Sequence, residues 1–309
     1  MYFLQPLLFF RLSQVRIQEV TMRKEIRVPT ERGVLLDGVL FHKTHTDTVL
    51  IAITGIHGNF YSNPFYYNIG DTLNDNGFDF IYAQINDAFG QIKTYNYKTK
   101  QQETIGSWNE RFSYTDDDIN AYIEFAQRQG YKHIYLAGHS LGANKVIYYL
   151  SRHHDSRVEK FLLLSPANLE HMMNGVTDYE REFIRNQVAS GDGEKMLPFY
   201  FMGWVACIAN TAYDWACTDV LNNVHVEADR DFSQVASITH TGALLIGTLD
   251  PFTYGDPSGF LQNINNHTQH PEQNKLLFIE GTGHTYQQKH QEVADKITAL
   301  VKEWRDNEG

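Results

Sequence analysis

The stretch Tyr135-Leu136-Ala137-Gly138-His139-Ser140-Leu141-Gly142-Ala143 decides how the rest of this chain is read. A β-prone run over 132–137 feeds a Gly-x-Ser-x-Gly pentapeptide. The pentapeptide feeds Ala143-Asn144-Lys145-Val146-Ile147-Tyr148-Tyr149-Leu150, which reads as a helix. Strand, sharp turn and helix is the context in which this pentapeptide carries a mechanism. The turn is tight enough to hold the serine in a strained backbone conformation with its hydroxyl pushed out of the sheet. The residues two before and two after it must lack side chains, and Gly138 and Gly142 meet that demand.

Working outward, apolar runs alternate with helical stretches. Residues 25–28 and 35–42 read as a hairpin around Pro29-Thr30-Glu31-Arg32-Gly33. Residues 48–54 and 78–83 are continuous apolar runs of the kind that suit strands buried on both faces. Between them 65–76 reads as a helix closed by Gly77. A polar loop over 87–113 precedes a helix opened by Asp116-Asp117-Asp118 and ended by Gly130. Residues 160–165 and 242–249 are further strands, 276–280 is the last, and a helix over 288–304 closes the chain. This alternation predicts parallel βαβ units, an α/β protein with a mostly parallel central sheet flanked by helices. It stops between 168 and 237, where helices are expected over 178–188 and 199–209. That segment reads as an inserted, mainly helical cap, splitting a core of 22–167 and 238–309. Residues 1–21 are apolar but lack the basic start and cleavage site of a signal peptide, and the run is too short to span a bilayer. They are expected to be a poorly ordered extension, with a short membrane-associating segment as the alternative.

A serine hydroxyl is a weak nucleophile and needs a base, and the base needs a third group to orient it. Partners should lie at the carboxyl ends of parallel strands, on the edge that carries Ser140. Asp250 ends the apolar strand over 242–249, and His284 follows the last strand after Gly281-Thr282-Gly283. The resulting order Ser140, Asp250, His284 differs from both major protease orders. Taken singly, a strand-end Asp is usually a turn or cap residue and a Gly-His pair is usually loop. Asp256, six residues further on, is the alternative acid. His133, His139, His153 and His154 are assigned no chemistry. An oxyanion needs two fixed N–H donors. Leu141 at the helix N-terminus supplies one; Ile56, in Thr54-Gly55-Ile56-His57-Gly58-Asn59, is the expected second, with His57 alternatively lining the mouth of the pocket.

Composition bounds the alternatives. The 309 residues are 42% hydrophobic and 20% charged, an ordinary globular balance. A net charge of −11 argues against a nucleic-acid surface. The 18 Tyr and 19 Phe fit a bulky core or an aromatic-lined pocket. Cys207 and Cys217 form no disulfide framework or metal pair, so free thiols in a reducing, cytoplasmic setting are expected. No cofactor is expected, and neither nucleic acid nor stable membrane insertion; oligomeric state leaves no signal.

Gly138-His139-Ser140-Leu141-Gly142, Asp250 and His284 together resemble the α/β-hydrolase superfamily over roughly residues 25–305. Residues 106–119, 145–149 and Ser165-Pro166-Ala167 look like bacterial serine hydrolases of esterase and aminopeptidase-like type, including relatives of siderophore esterases. The resemblance implies the α/β-hydrolase fold, Ser140 as nucleophile, His284 as base, Asp250 as acid, and no metal. One departure is Thr54-Gly55, where these enzymes often carry His-Gly. The expected activity is hydrolysis of a carboxylic ester of a small or medium-sized substrate through an acyl-enzyme. An amidase or peptidase, an acyltransferase, and a silent binding protein of the same fold are the alternatives. The aromatic runs Phe199-Tyr200-Phe201-Met202-Gly203-Trp204 and Tyr213-Asp214-Trp215 would line a substrate pocket or pack the cap onto the core.

Overall fold

The computed structural model describes residues 22–42 and 46–307; the extension expected over 1–21 lies outside the described residues. Alternation at the chain start builds the hairpin β1 (Met22–Pro29) and β2 (Leu35–His42). The apolar runs build β3 (Thr48–Ile53) and β4 (Asp79–Ala83), both buried at every position. A small separate hairpin follows, β5 (Ile92–Asn96) with β6 (Gln101–Ile105). The elbow strand β7 (His133–His139), then β8 (Val158–Leu164), β9 (Thr241–Gly247) and β10 (Lys275–Ile279) complete the main sheet. Its order is β1-β2-β4-β3-β7-β8-β9-β10. β2 pairs antiparallel with β1 and β4, and every pairing from β4 onward is parallel. The ends of β3, β7, β9 and β10 therefore share one edge.

Each face of the sheet is covered by helices. On one side α1 (Phe65–Asp75) and, at the chain end, a last helix over 290–307 bury Phe65, Tyr66, Ile297 and Trp304 against Leu50, Tyr135 and Leu162. On the other, α2 (Tyr114–Gln129) and α3 (Leu141–Arg152) bury Tyr122, Ile123, Val146 and Ile147 against Ile51, Leu136 and Leu163. Successive strand residues thus serve opposite faces, and each fully buried large side chain contributes about 1.5–3 kcal/mol. Gly130 ends α2 in a left-handed conformation at φ 93°, as its sequence position suggests.

The segment between β8 and β9 holds α4 (Leu169–Met172), α5 (Asp178–Ala189), α6 (Ala209–Ala216) and α7 (Ser233–Ala236) and adds no strand to the main sheet. α5 starts on a reciprocal Thr177–Glu180 capping box. The buried side chains of the segment, among them Ile184, Phe201, Val205 and Trp215, form a third apolar cluster that reaches Leu141 beside the elbow. The helix expected over 199–209 does not form. The chain instead turns back at Met202 (φ 54°) and Gly203 (φ 81°), and Phe201 and Val205 exchange backbone hydrogen bonds at 2.8 and 2.9 Å. Left-handed residues and the β-branched Val205 favour that turn over a helix. The polar loop expected over 87–113 contains the β5/β6 hairpin. Ile105 and Ile92 pack it on the core, and Thr94 Oγ1 donates to the Leu35 carbonyl at 2.7 Å. After β9 the chain makes α8 (Pro257–Asn266), and the closing helix is α9 (His290–Asn307).

Candidate active site

Ser140 follows the last residue of β7 and caps α3, with φ 56° and ψ −128°. Both neighbouring glycines are sterically required. A Cβ on Gly138 would lie 2.2 Å from the Gly142 carbonyl oxygen, and one on Gly142 2.5 Å from that of Ile53. The strained residue is held from below, where its N–H donates to the Leu164 carbonyl at 3.0 Å.

Asp250 and His284 sit on loops beyond β9 and β10, and the two loops are laced together. Thr248 N–H donates to Ile279 O at 2.9 Å, Leu249 N–H to Thr282 O at 2.8 Å, and Gly281 N–H to Thr248 Oγ1 at 2.9 Å. A Cβ on Gly247 would strike the Thr282 oxygen at 2.5 Å, so glycine lets the loops close. The outcome is a hydrogen-bonded chain of side chains. His284 Nδ1 lies 2.9 Å from Asp250 Oδ2, and His284 Nε2 lies 2.8 Å from Ser140 Oγ. Asp250 is buried, and its second oxygen accepts the Phe252 N–H at 3.0 Å. A carboxylate that only accepts fixes the proton on Nδ1 and leaves Nε2 to receive one from Ser140. The Phe252 ring packs on His284 at 4.8 Å between centroids. Asp256, the alternative acid, is the N-cap of α8, its carboxylate accepting the Gly259 N–H at 2.8 Å.

The loop after β3 lies against the elbow. A Cβ on Gly55 would stand 2.9 Å from Ser140 Cβ and 3.5 Å from the Leu141 nitrogen. Ile56 comes next. His57, at φ 55°, gives its N–H to the Asp87 carbonyl at 2.9 Å. Its ring turns to Ser107 Oγ, 2.7 Å from Nε2, and stands edge-on to the half-exposed Trp204 at 5.6 Å. Of the aromatic runs, Phe201 and Trp215 are buried in the cluster that reaches Leu141, whereas Tyr200 is 64% exposed.

Two features carry no sequence signal of their own. His139 points away from Ser140, into Phe65, Tyr66 and Tyr286, and its Nε2 meets the His284 carbonyl oxygen at 2.8 Å. A carbonyl only accepts, so Nε2 carries the proton. Burial, and then the neighbouring His284, pull the His139 pKa down to about 3, which keeps the ring neutral. On the other side of the elbow, Lys145 of α3 is buried with Asp87 and Glu110. A small cavity of about 10 Å³, room for one water, lies between Ile56, Ser107, Glu110, Met202 and Trp215. A groove of about 610 Å³ runs between Arg32, Asp116, Tyr149 and Arg157, and Ser140 does not line it.

Among the described residues no His, Cys, Asp and Glu side chains cluster as metal ligands, and no helix is long and apolar enough to cross a membrane. Cys207 and Cys217 are unpaired, and burial pushes the Cys207 thiol up to about 12.

The family model for the alpha/beta hydrolase fold matches residues 48–191, a span that runs across the elbow. No curated protein sequence matches the chain. Among solved structures, Est1E from Butyrivibrio proteoclasticus superposes with a TM-score of 0.59 at 16% identity, over 90% of this chain and 98% of that one. The Pyrococcus furiosus esterase Pf2001 gives 0.60 at 16%, over 97% and 96%. The esterase domain of a Rhodothermus marinus protein gives 0.58 at 13%, over 92% and 97%. At such identities the superpositions speak to fold alone, and the finer resemblance to siderophore esterases gains no support from them. Sheet order, the matched segment and these end-to-end superpositions agree that the chain has the α/β-hydrolase fold.

Proposed function

We propose that the protein is a serine hydrolase that cleaves carboxylic esters of small or medium-sized substrates through an acyl-enzyme. The observation that carries this reading is the Ser140–His284–Asp250 chain, with contacts of 2.8 and 2.9 Å. Ser140 Oγ attacks the ester carbonyl carbon while His284 Nε2 takes its proton. Asp250 holds the imidazole in the required tautomer and stabilises the imidazolium. The tetrahedral oxyanion rests on the N–H groups of Leu141 and Ile56. The His57 N–H is already given to Asp87, which favours Ile56 as the donor from its loop. His284 then protonates the alkoxide leaving group, and water, deprotonated by the same ring, releases the acid and frees Ser140. The segment over 168–237 is read as a cap whose Phe201 and Trp215 face the neighbourhood of Leu141 and limit the substrate. A cytoplasmic location belongs to the same proposal, supported by the two free thiols.

Labelling with a fluorophosphonate probe, then a panel of p-nitrophenyl esters sorted by acyl length, tests the reading. A solved structure of Est1E holds ferulic acid, which puts feruloyl esters on that panel. Wild-type protein should label at Ser140 and turn over esters faster than the matching anilides. Absence of labelling, or equal turnover by Ser140→Ala, would remove the proposal.

A further inference from the structure

Lys145 lies one turn into α3, and its side chain and those of Asp87 and Glu110 are at most 1% exposed. Its Nζ donates to Asp87 Oδ2 at 3.0 Å and to Glu110 Oε1. Two carboxylates against one ammonium would bury an uncompensated negative charge, which a low-dielectric interior strongly disfavours. Asp87 Oδ1 and Glu110 Oε2 also have no hydrogen-bond partner among the described protein groups. A single proton on the carboxyl pair removes the excess charge and turns one orphan oxygen into a donor. Burial, and then the charge of Asp87, push the Glu110 carboxyl well above the usual range despite Lys145. Burial works against the Lys145 charge, but Asp87 and Glu110 outweigh it. Asp118 of α2 also acts on Lys145, and is itself tied to Arg32 and to the Asn86 N–H.

The cluster meets every element around the oxyanion arm. The Asp87 carbonyl accepts the His57 N–H at 2.9 Å, one residue from Ile56. Ser107, three residues before Glu110, holds the His57 ring at 2.7 Å. Thr211 Oγ1 of α6 donates to the Glu110 carbonyl at 2.7 Å, and Ile208 N–H to the Trp108 carbonyl at 2.8 Å. Lys145 sits on the same helix whose first N–H belongs to Leu141.

We propose that Lys145, Asp87 and a protonated Glu110 are positioning residues that hold the arm carrying Ile56 in register with Leu141, and that seat the cap on the same frame. The inference rests on the reading of Ile56 and Leu141 as oxyanion donors. Losing the cation should cost turnover and leave substrate binding nearly intact, because the donors act on charge that develops in the transition state. Losing the Glu110 proton at alkaline pH should do the same, by adding a second buried anion beside Asp87.

The test uses the full chain with p-nitrophenyl acetate, taking kcat and KM from about pH 6 to about pH 10, beside thermal melts. Lys145→Met should lower kcat about 10²-fold with KM within about threefold. Glu110→Gln keeps a neutral amide in the carboxyl's place, so kcat at neutral pH should stay within about threefold of wild type. Where wild type loses kcat as Glu110 ionises, this variant should not. Unchanged kcat in folded Lys145→Met overturns the proposal. So does a Glu110→Gln that is as slow as Lys145→Met, or that falls in kcat at alkaline pH as wild type does. If Lys145→Met does not fold, the Glu110→Gln results decide alone. Wild type that fails to label at Ser140 sinks the underlying reading instead, whereas labelled wild type with silent cluster variants sinks only this inference.

Discussion

The two flanks of Ser140 are built on opposite principles. One residue before it, His139 turns into an uncharged nest of Phe65, Tyr66 and Tyr286 and spends its single donor on the His284 carbonyl at 2.8 Å. Five residues after it, Lys145 enters an ionic nest with Asp87 and Glu110, beside the Phe112 ring. Both reach a loop that serves the site: His139 the loop of His284, Lys145 the loops around Ile56 and His57. A neutral flank is cheap to bury but weakly held. An ionic flank holds several loops at once, at a desolvation cost met only while all three members are present.

The sharpest way to break the comparison is to unbalance the ionic flank. Lys145→Met leaves two buried carboxyls without a cation, and unfolding free energy should fall by about 3–5 kcal/mol in a denaturant melt. A loss under about 1 kcal/mol would mean that the flank is not truly dry.

The neutral flank should give less. His139→Phe keeps the bulk but orphans the His284 carbonyl. A loss of about 1–3 kcal/mol and a kcat lowered about tenfold at unchanged KM are expected. His139→Gln, which can restore a donor, should recover part of both. The same histidine has a signature in pH. Burial holds its pKa at about 3 in the folded protein against 6.5 for a free imidazole, so only the unfolded chain takes up its proton between those values. Stability should therefore fall as pH drops below about 6.5, and the Tm of His139→Phe should fall less steeply over that window. Parallel curves would contradict a buried neutral ring.

The smallest effect belongs outside both flanks. Asp256→Ala removes the N-cap of α8 and should cost about 1 kcal/mol with kcat unchanged. A large loss of turnover there would return Asp256 to contention as the acid.

The core was readable for a physical reason. Strands such as β3 and β4 are buried on both faces, so their sequences are unbroken apolar runs, and parallel order puts their ends on one edge. Ser140, Asp250 and His284, which the structure brings together, stood out as candidates because each sits at or just past such an end. The elbow glycines were legible because only glycine fits there. The segment over 199–209 was harder to read: its apolar residues suit a helix as well as a turn, and the reversal at Met202 and Gly203 uses left-handed backbone closed by the Phe201–Val205 pair. The β5/β6 hairpin was hidden because most of its residues are polar and only Ile92 and Ile105 reach the core. His139 and Lys145 gave no hint either. A histidine or lysine in an apolar run announces burial, but its partners come from positions as distant in sequence as His284 and Asp87.

The central claim is that Ser140, aligned by His284, is the nucleophile toward esters. The most direct measurement is steady-state hydrolysis of p-nitrophenyl acetate by wild type and by Ser140→Ala, with fluorophosphonate labelling of both. The account predicts labelled, active wild type and an unlabelled variant whose turnover falls by at least about 10³-fold, to the level of background. Equal turnover, or a label that persists without Ser140, would contradict it.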